Sequence, residues 1–146
     1  MLKQTRRRPS SATRRTGYAF AILINVAVLY AIHYWPGWQR APFLTSATTQ
    51  VLGWVTAALI AGLAANAVYL GADPPWLKSL GDLVITGIGF VAIIRVWQVF
   101  PFDFGNASAA WEVILRVALA IGFFGSIAAM IVQVVVLMAD GSRVRR

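Results

Sequence analysis

Residues 81–112 read GDLVITGIGFVAIIRVWQVFPFDFGNASAAWE, and this stretch decides the fold. It begins with an apolar run of membrane length, since a spanning helix needs about 20 such residues. An aromatic and acidic turn follows, and then the start of another apolar run. Arg95 lies inside the first run and Arg116 inside the second. An arginine at the bilayer centre costs about 2.5–3.5 kcal/mol on insertion scales, so we expect any functional site to lie near these two residues.

Four apolar runs of this kind occupy the chain of 146 residues. They predict an all-α membrane protein, a four-helix transmembrane bundle in a single domain. The expected helices cover residues 17–35, 48–70, 82–100 and 111–138. The transmembrane domain then spans residues 17–139, with basic tails at 1–16 and 140–146. Charged residues make up only 12% of the chain, against about 25% in a soluble domain, so most of the surface is expected to face lipid.

The two halves of the chain also match each other weakly. Residues 32–35 (IHYW) align with residues 94–97 (IRVW), and Asn66 aligns with Gln133, each seven residues before an aspartate. A parallel duplication of a two-helix hairpin, about an axis along the membrane normal, would produce this pattern. Chance matches are common in apolar sequence, so both origins stay open.

The distribution of positive charge predicts the topology. All but three of the 13 Lys and Arg residues lie in the two tails or in the connection at residues 71–81. Cytoplasmic segments of membrane proteins carry such an excess. We therefore predict a multi-pass protein of a bacterial plasma membrane, with both the N and the C terminus in the cytoplasm. The same asymmetry disfavours dual-topology insertion, and with it small antiparallel exporters.

The N-terminal tail, residues 1–16, contains no acid and is expected to be disordered until a surface orders it. Its basic residues act as a topology signal and also suit contact with anionic lipid headgroups at the cytoplasmic face, worth about 1 kcal/mol each. These residues are Lys3, Arg6, Arg7, Arg8, Arg14 and Arg15. No small-residue cleavage site follows the first apolar run, which predicts an uncleaved helix. Because the net charge of +8 is concentrated beside apolar runs, no nucleic-acid partner is expected.

Small and amide-bearing residues predict the surfaces through which the helices pack. In lipid, small side chains let two backbones approach closely, and buried amides bond across helices. The candidates are Ala57, Ala61, Gly62, Ala65, Asn66, Gly122, Gly125 and Gln133. We expect Asn66 to form a hydrogen bond between helices.

The residues around the two arginines form a candidate outer polar cluster. Arg95 and Arg116 both lie roughly 8–9 Å below the outer boundary of their helices, from a rise of about 1.5 Å per residue. Glu112 precedes Arg116 by four residues and suits an ion pair, whereas Asp103 is expected to fold back towards Arg95. The full candidate set is His33, Arg95, Gln98, Asp103, Glu112 and Arg116.

Three interpretations of this cluster stay open. The arginines either fix the third helix against the fourth or snorkel to the interface. Alternatively, they line an outward-facing pocket for an anionic or amphipathic group such as a lipid phosphate, which suits the planar guanidinium. A proton relay or a conduction path is the third interpretation.

The composition argues against most catalytic chemistry. The absence of cysteine excludes disulfides, thiolate metal sites and iron–sulfur clusters. A single histidine, His33, excludes a bis-histidine haem within one chain. Neither a nucleophile with a base nor metal-ligand spacing is visible. We therefore expect no cofactor, no metal and no enzymatic activity.

Residues 95–104 (RVWQVFPFDF), followed by Trp111-Glu112 and Arg116-Val117, resemble a segment of small four-span membrane proteins from high-GC Gram-positive bacteria. The resemblance covers the second half of the chain. It implies the four-span fold and the membrane location, but no activity, because the group has no assigned activity. Arg95, Asp103, Glu112 and Arg116 are the matching motif positions.

Two functions are consistent with these features. The first is a non-enzymatic accessory or scaffold subunit, which docks on itself as a homo-oligomer or on a membrane partner protein through its small-residue faces. The alternative is a small transporter, channel or lipid-binding protein that uses the outward-facing arginine pocket.

Overall fold

The computed structural model describes residues 9–144, without the side chains of residues 108, 140, 143 and 144. Four long helices account for most of this part of the chain: α1 (Ser11–His33), α2 (Thr49–Gly71), α3 (Pro75–Val99) and α4 (Ser108–Val144). Each is long and apolar enough to cross a membrane. The predicted all-α four-helix transmembrane fold is therefore confirmed.

The helices pack in chain order: α1 on α2, α2 on α3 and α3 on α4. Within residues 9–144, α1 and α4 make at most marginal contact, so the row of helices is not closed into a ring. Large apolar side chains stand exposed on both outer helices, among them Phe20 and Leu23 of α1 and Ile121 of α4. These faces are left for lipid or for another protein.

The first helix begins inside the segment that was expected to be disordered. Ser10 is its N-cap, and the Ser10 side chain accepts a hydrogen bond from the backbone N–H of Thr13 at 3.2 Å. Such a cap is worth about 1 kcal/mol to a helix. The prediction of disorder is therefore wrong for residues 11–16, while residues 1–8 lie outside the described part of the chain.

The third and fourth helices are also longer than predicted. Residues 71–81 were predicted to form a connection, but Pro75 already begins α3, at a position where a missing N–H costs nothing. Lys78 and Asp82 consequently lie in the first turns of α3 and form an ion pair. Helix α4 continues to Val144, so residues 140–144 are helical instead of forming a separate tail. Its 37 residues would span about 55 Å, far more than the bilayer core of about 30 Å.

The connections α1–α2 and α3–α4 meet at one end of the fold, which we call the loop end. Leu44 and Phe102 form an isolated antiparallel bridge. It is flanked by hydrogen bonds from Thr45 N to Pro101 O (3.0 Å) and from Asp103 N to Phe43 O (2.9 Å). The Pro101 side chain is fully buried. The two helical hairpins are thus joined through backbone hydrogen bonds that hydropathy does not predict.

Aromatic rings reinforce the loop end. Phe104 stacks between Phe43 and Trp111, with centroid distances of 5.8 and 5.9 Å. Phe102 stacks on Phe104 at 6.2 Å and meets Phe100 edge to face at 5.4 Å. Each such pair contributes about 0.5–1.5 kcal/mol beyond its buried area. The aromatic turn between α3 and α4 therefore packs together as a cluster of rings at the loop end.

Candidate functional site

Arg116 of α4 makes an ion pair and two ring contacts at the loop end. Its Nε donates to Glu112 Oε1 at 3.0 Å, the ion pair that four-residue spacing predicts. The guanidinium lies 4.3 Å from the ring centroid of Phe100 and 5.5 Å from that of Trp97. Both distances are within the range of cation–π attraction. Arg116 therefore bonds within α4 and stacks on the end of α3.

The position of Phe100 depends on the way α3 ends. Phe100 adopts a left-handed conformation, with φ of 42°, and its N–H bonds to Val96 O at 2.8 Å. This conformation costs a non-glycine residue roughly 1–3 kcal/mol. It ends the helix and places the Phe100 ring against the Arg116 guanidinium, so the strained residue lies at the candidate site.

An apolar groove of about 420 Å³ lies between α3 and α4. It is lined by Ile93, Ile94, Trp97, Gln98, Ala120, Phe123 and Phe124. Gly122 lets the helices approach closely, since a Cβ there would lie 3.2 Å from Ile93 Cδ1. Arg116 precedes Ala120 by one helical turn and contacts Trp97. The guanidinium therefore stands at one end of the groove.

The rest of the predicted outer cluster does not form one network. His33 Nε2 is hydrogen-bonded to Thr56 Oγ1 at 2.9 Å, which ties α1 to α2. Asp103 Oδ1 accepts from the Gly105 N–H at 2.9 Å and closes its own loop. Gln98 is exposed on the rim of the groove.

Arg95 does not pair with Asp103, and that prediction is wrong. The Arg95 side chain is exposed, and within residues 9–144 it has no hydrogen bond or ion pair. Asp103 is committed to its own turn because a short aspartate side chain readily bonds the backbone two residues on. Of the six residues in the predicted cluster, the structure joins only Glu112 and Arg116 by a bond.

A second polar network, which the sequence did not predict, lies at the opposite end of the fold, here called the polar end. Arg14 donates to Asp73 through Nε (2.6 Å) and Nη2 (3.3 Å), a bidentate geometry. Tyr18 donates to the same carboxylate at 3.0 Å. Arg14, predicted to contact lipid headgroups, thus fastens α1 to the α2–α3 connection. Arg15 is exposed, and the other predicted headgroup contacts lie outside the described residues.

The network continues through Tyr69, which is only 3% exposed. Its hydroxyl lies 3.0 Å from Lys78 O and 3.1 Å from Asp82 Oδ1. The Tyr69 ring packs on that of Tyr18 at 5.4 Å. Gly81 makes room for the hydroxyl, since a Cβ there would lie 2.0 Å from it. The only available sequence signal was the presence of acids and tyrosines at the ends of apolar runs that otherwise contain few polar groups.

The predicted packing residues have different surroundings. Gly62 is buried, and a Cβ there would lie 3.3 Å from Asn25 Oδ1 of α1. Gln133 of α4 donates to Thr86 Oγ1 of α3 at 3.3 Å. Beyond Gly125 there is open space. Ala57, Ala61 and Ala65 are half-buried, and Gly122 lies against α3 as described above.

The expected interhelical bond of Asn66 is wrong. Its Nδ2 donates to Gly62 O, one turn earlier in the same helix, at 2.7 Å. A polar side chain within a helix can bond a backbone carbonyl one turn earlier instead of a neighbouring helix. Asn66 and Gln133, which are equivalent in the proposed duplication, therefore make different bonds.

Within residues 9–144, no group of three His, Cys, Asp or Glu residues is placed to hold a metal ion. Several charged side chains instead form ion pairs, either within one helix or between a helix and another part of the chain. In comparisons with known proteins, no family model, curated protein or solved structure matches the chain.

Proposed function

We propose that this integral membrane protein is a non-enzymatic accessory or scaffold subunit of a bacterial plasma membrane, with both termini in the cytoplasm. In this role it binds a second copy or a membrane partner through the outer face of α4. The open row of helices supports this role, because α4 packs extensively only on α3 among the four long helices described here. Ile121, Ile131 and Val132 are each about 60–70% exposed on α4.

Gly125 and Ala128 make this face suitable for close contact with another helix. Both are exposed, and the space beyond the Gly125 Cα is open. Small residues on an exposed helix face allow backbone approach where lipid removes the hydrophobic drive between helices. Helices α1 to α3 are held together by the polar end, whereas the outer face of α4 has no such use within the described chain.

Cysteine cross-linking in native membranes tests the proposal directly, because the chain has no cysteine of its own. Ala128→Cys is expected to form a disulfide between two copies under an added oxidant, or a cross-link to a stoichiometric partner under a bifunctional thiol–amine reagent. Ile60→Cys, exposed on α2, is the matched control and should give neither product. If Ala128→Cys gives no product and the protein purifies as a monomer without a partner, the proposal is wrong.

Substitution of the face provides a second test. Gly125→Leu should abolish the association, since the bulky side chain separates the two backbones. Gly87→Leu is the control, because Gly87 also faces open space but lies on α3. Equal effects of the two variants would contradict an interface on α4.

A further inference from the structure

We infer that the groove between α3 and α4, together with Glu112 and Arg116, binds one molecule of a zwitterionic, amine-bearing phospholipid. The phosphate would lie on Arg116, the amine on Glu112 and one acyl chain in the groove. This inference concerns a ligand and does not depend on the proposed role of the α4 outer face.

The groove has the size and character of a site for an apolar chain. Its volume of about 420 Å³ lies within the range of about 300–1,000 Å³ that is usual for small-molecule sites. Trp97, Phe123 and Phe124 supply aromatic walls, and Ala120 leaves the space between them. The Phe90 ring packs on the Phe123 ring, with a centroid distance of 4.9 Å, and helps to hold Phe123 in place.

Arg116 has hydrogen-bond donors left over at the end of this groove. A guanidinium carries five N–H donors, and Arg116 donates only through Nε among the side chains and backbone groups described. The guanidinium lies within cation–π distance of Phe100 and Trp97, and both contacts help to position it. Phosphate is the group that best matches several N–H donors in a planar fork.

The charge of the site selects the headgroup. Glu112 and Arg116 lie side by side and together carry no net charge, so a purely anionic headgroup would meet the Glu112 carboxylate. Glu112 uses only Oε1 in its bond to Arg116, which leaves Oε2 to accept from an ammonium group. A headgroup that carries both a phosphate and an amine complements both charges.

The order of the residues along α4 matches the polarity of a lipid. Glu112 comes first, then Arg116, then Ala120, and last Phe124. Ala120 and Phe124 lie about 6 and 12 Å beyond Arg116 at 1.5 Å per residue, within the roughly 15 Å of hydrocarbon in one leaflet. The site therefore changes from charged to apolar within the depth of one leaflet.

Arg95 provides a natural control. It is also an arginine near the loop end of α3, yet it is exposed and has neither a carboxylate nor a ring partner within residues 9–144. If the arginines merely snorkel to headgroups, the two should behave alike. If a site is built around Arg116, only Arg116 should matter for lipid retention.

The test uses the full chain in nanodiscs that contain phosphatidylethanolamine with a photoreactive group at the end of one acyl chain. Wild-type protein should be labelled at one lipid per chain, with the label on peptides of α3 or α4. Arg116→Gln should weaken binding roughly tenfold to a hundredfold, the loss of a charge-assisted hydrogen bond. Ala120→Phe should fill the groove and reduce labelling to background.

Two control variants keep the result interpretable. Arg95→Gln and Ala118→Phe, the latter exposed on α4 outside the groove, should be labelled like the wild type. Competition on the wild-type protein adds a test that needs no variant, in which unlabelled phosphatidylethanolamine should displace the probe better than phosphatidylglycerol. Undiminished labelling of Ala120→Phe, an equal loss in Arg95→Gln, or a preference for phosphatidylglycerol would each overturn the inference.

Discussion

Gly81→Ala should destabilise the fold far more than other glycine-to-alanine changes in the same helix. The new Cβ would lie 2.0 Å from the Tyr69 hydroxyl and 3.0 Å from the ring carbon that bears it. Tyr69 is 3% exposed and packed on Tyr18, so a shift of its ring would disturb that packing. The hydroxyl would have to leave Lys78 O and Asp82.

The magnitude follows from three contributions. Overpacking a well-packed site costs about 1–3 kcal/mol. A buried hydroxyl and its acceptors left unsatisfied cost about 1–3 kcal/mol more. Replacing glycine by alanine in a helix returns about 1 kcal/mol. The free energy of unfolding should therefore fall by about 1–5 kcal/mol, whereas Gly87→Ala, which meets no neighbour within 4 Å, should raise it by up to about 1 kcal/mol.

The assay is unfolding in mixed micelles with increasing dodecyl sulfate, followed by far-ultraviolet circular dichroism. The Tyr69→Phe background tests the cause, because removal of the hydroxyl removes the closest contact. Gly81→Ala should cost at least about 1 kcal/mol less in that background, a coupling typical of residues in contact. If Gly81→Ala is as mild as Gly87→Ala, or if its cost is unchanged in Tyr69→Phe, then the contact does not control stability.

Three further outcomes are expected from the same unfolding assay. Asp73→Asn should lower the midpoint, and adding Arg14→Gln should lower it little further, because both changes remove one bidentate pair; additive losses would contradict this. Gly62→Leu should lower the free energy of unfolding by about 1–3 kcal/mol, because the new side chain would push α1 away from α2. Gly53→Leu, which meets open space, should lower it less. Arg116→Gln should lower the free energy of unfolding by no more than about 2 kcal/mol, since its ion pair and its two ring contacts are partly exposed; a larger loss would assign the residue a mainly structural role.

Hydropathy and charge were sufficient to predict the four helices. A bilayer core of about 30 Å requires a helix of about 20 apolar residues, whatever its neighbours are. The Glu112–Arg116 pair was equally predictable, because both residues lie on one helix at a spacing that brings them together. Helix ends were less well predicted, since Ser10 and Pro75 extend α1 and α3 through local caps that a hydropathy pattern does not show.

The contacts between helices could not be predicted from the sequence and were seen only in the tertiary structure. In lipid every face of these helices is apolar, so no polar stripe identifies the side that packs. For this reason the sequence did not distinguish exposed Arg95 from stacked Arg116, or the intrahelical bond of Asn66 from the interhelical bond of Gln133. Whether a segment is long and apolar enough to span a membrane depends on that segment alone. The loop-end bridge and the polar end join residues far apart in the chain, and only the packed helices bring them together.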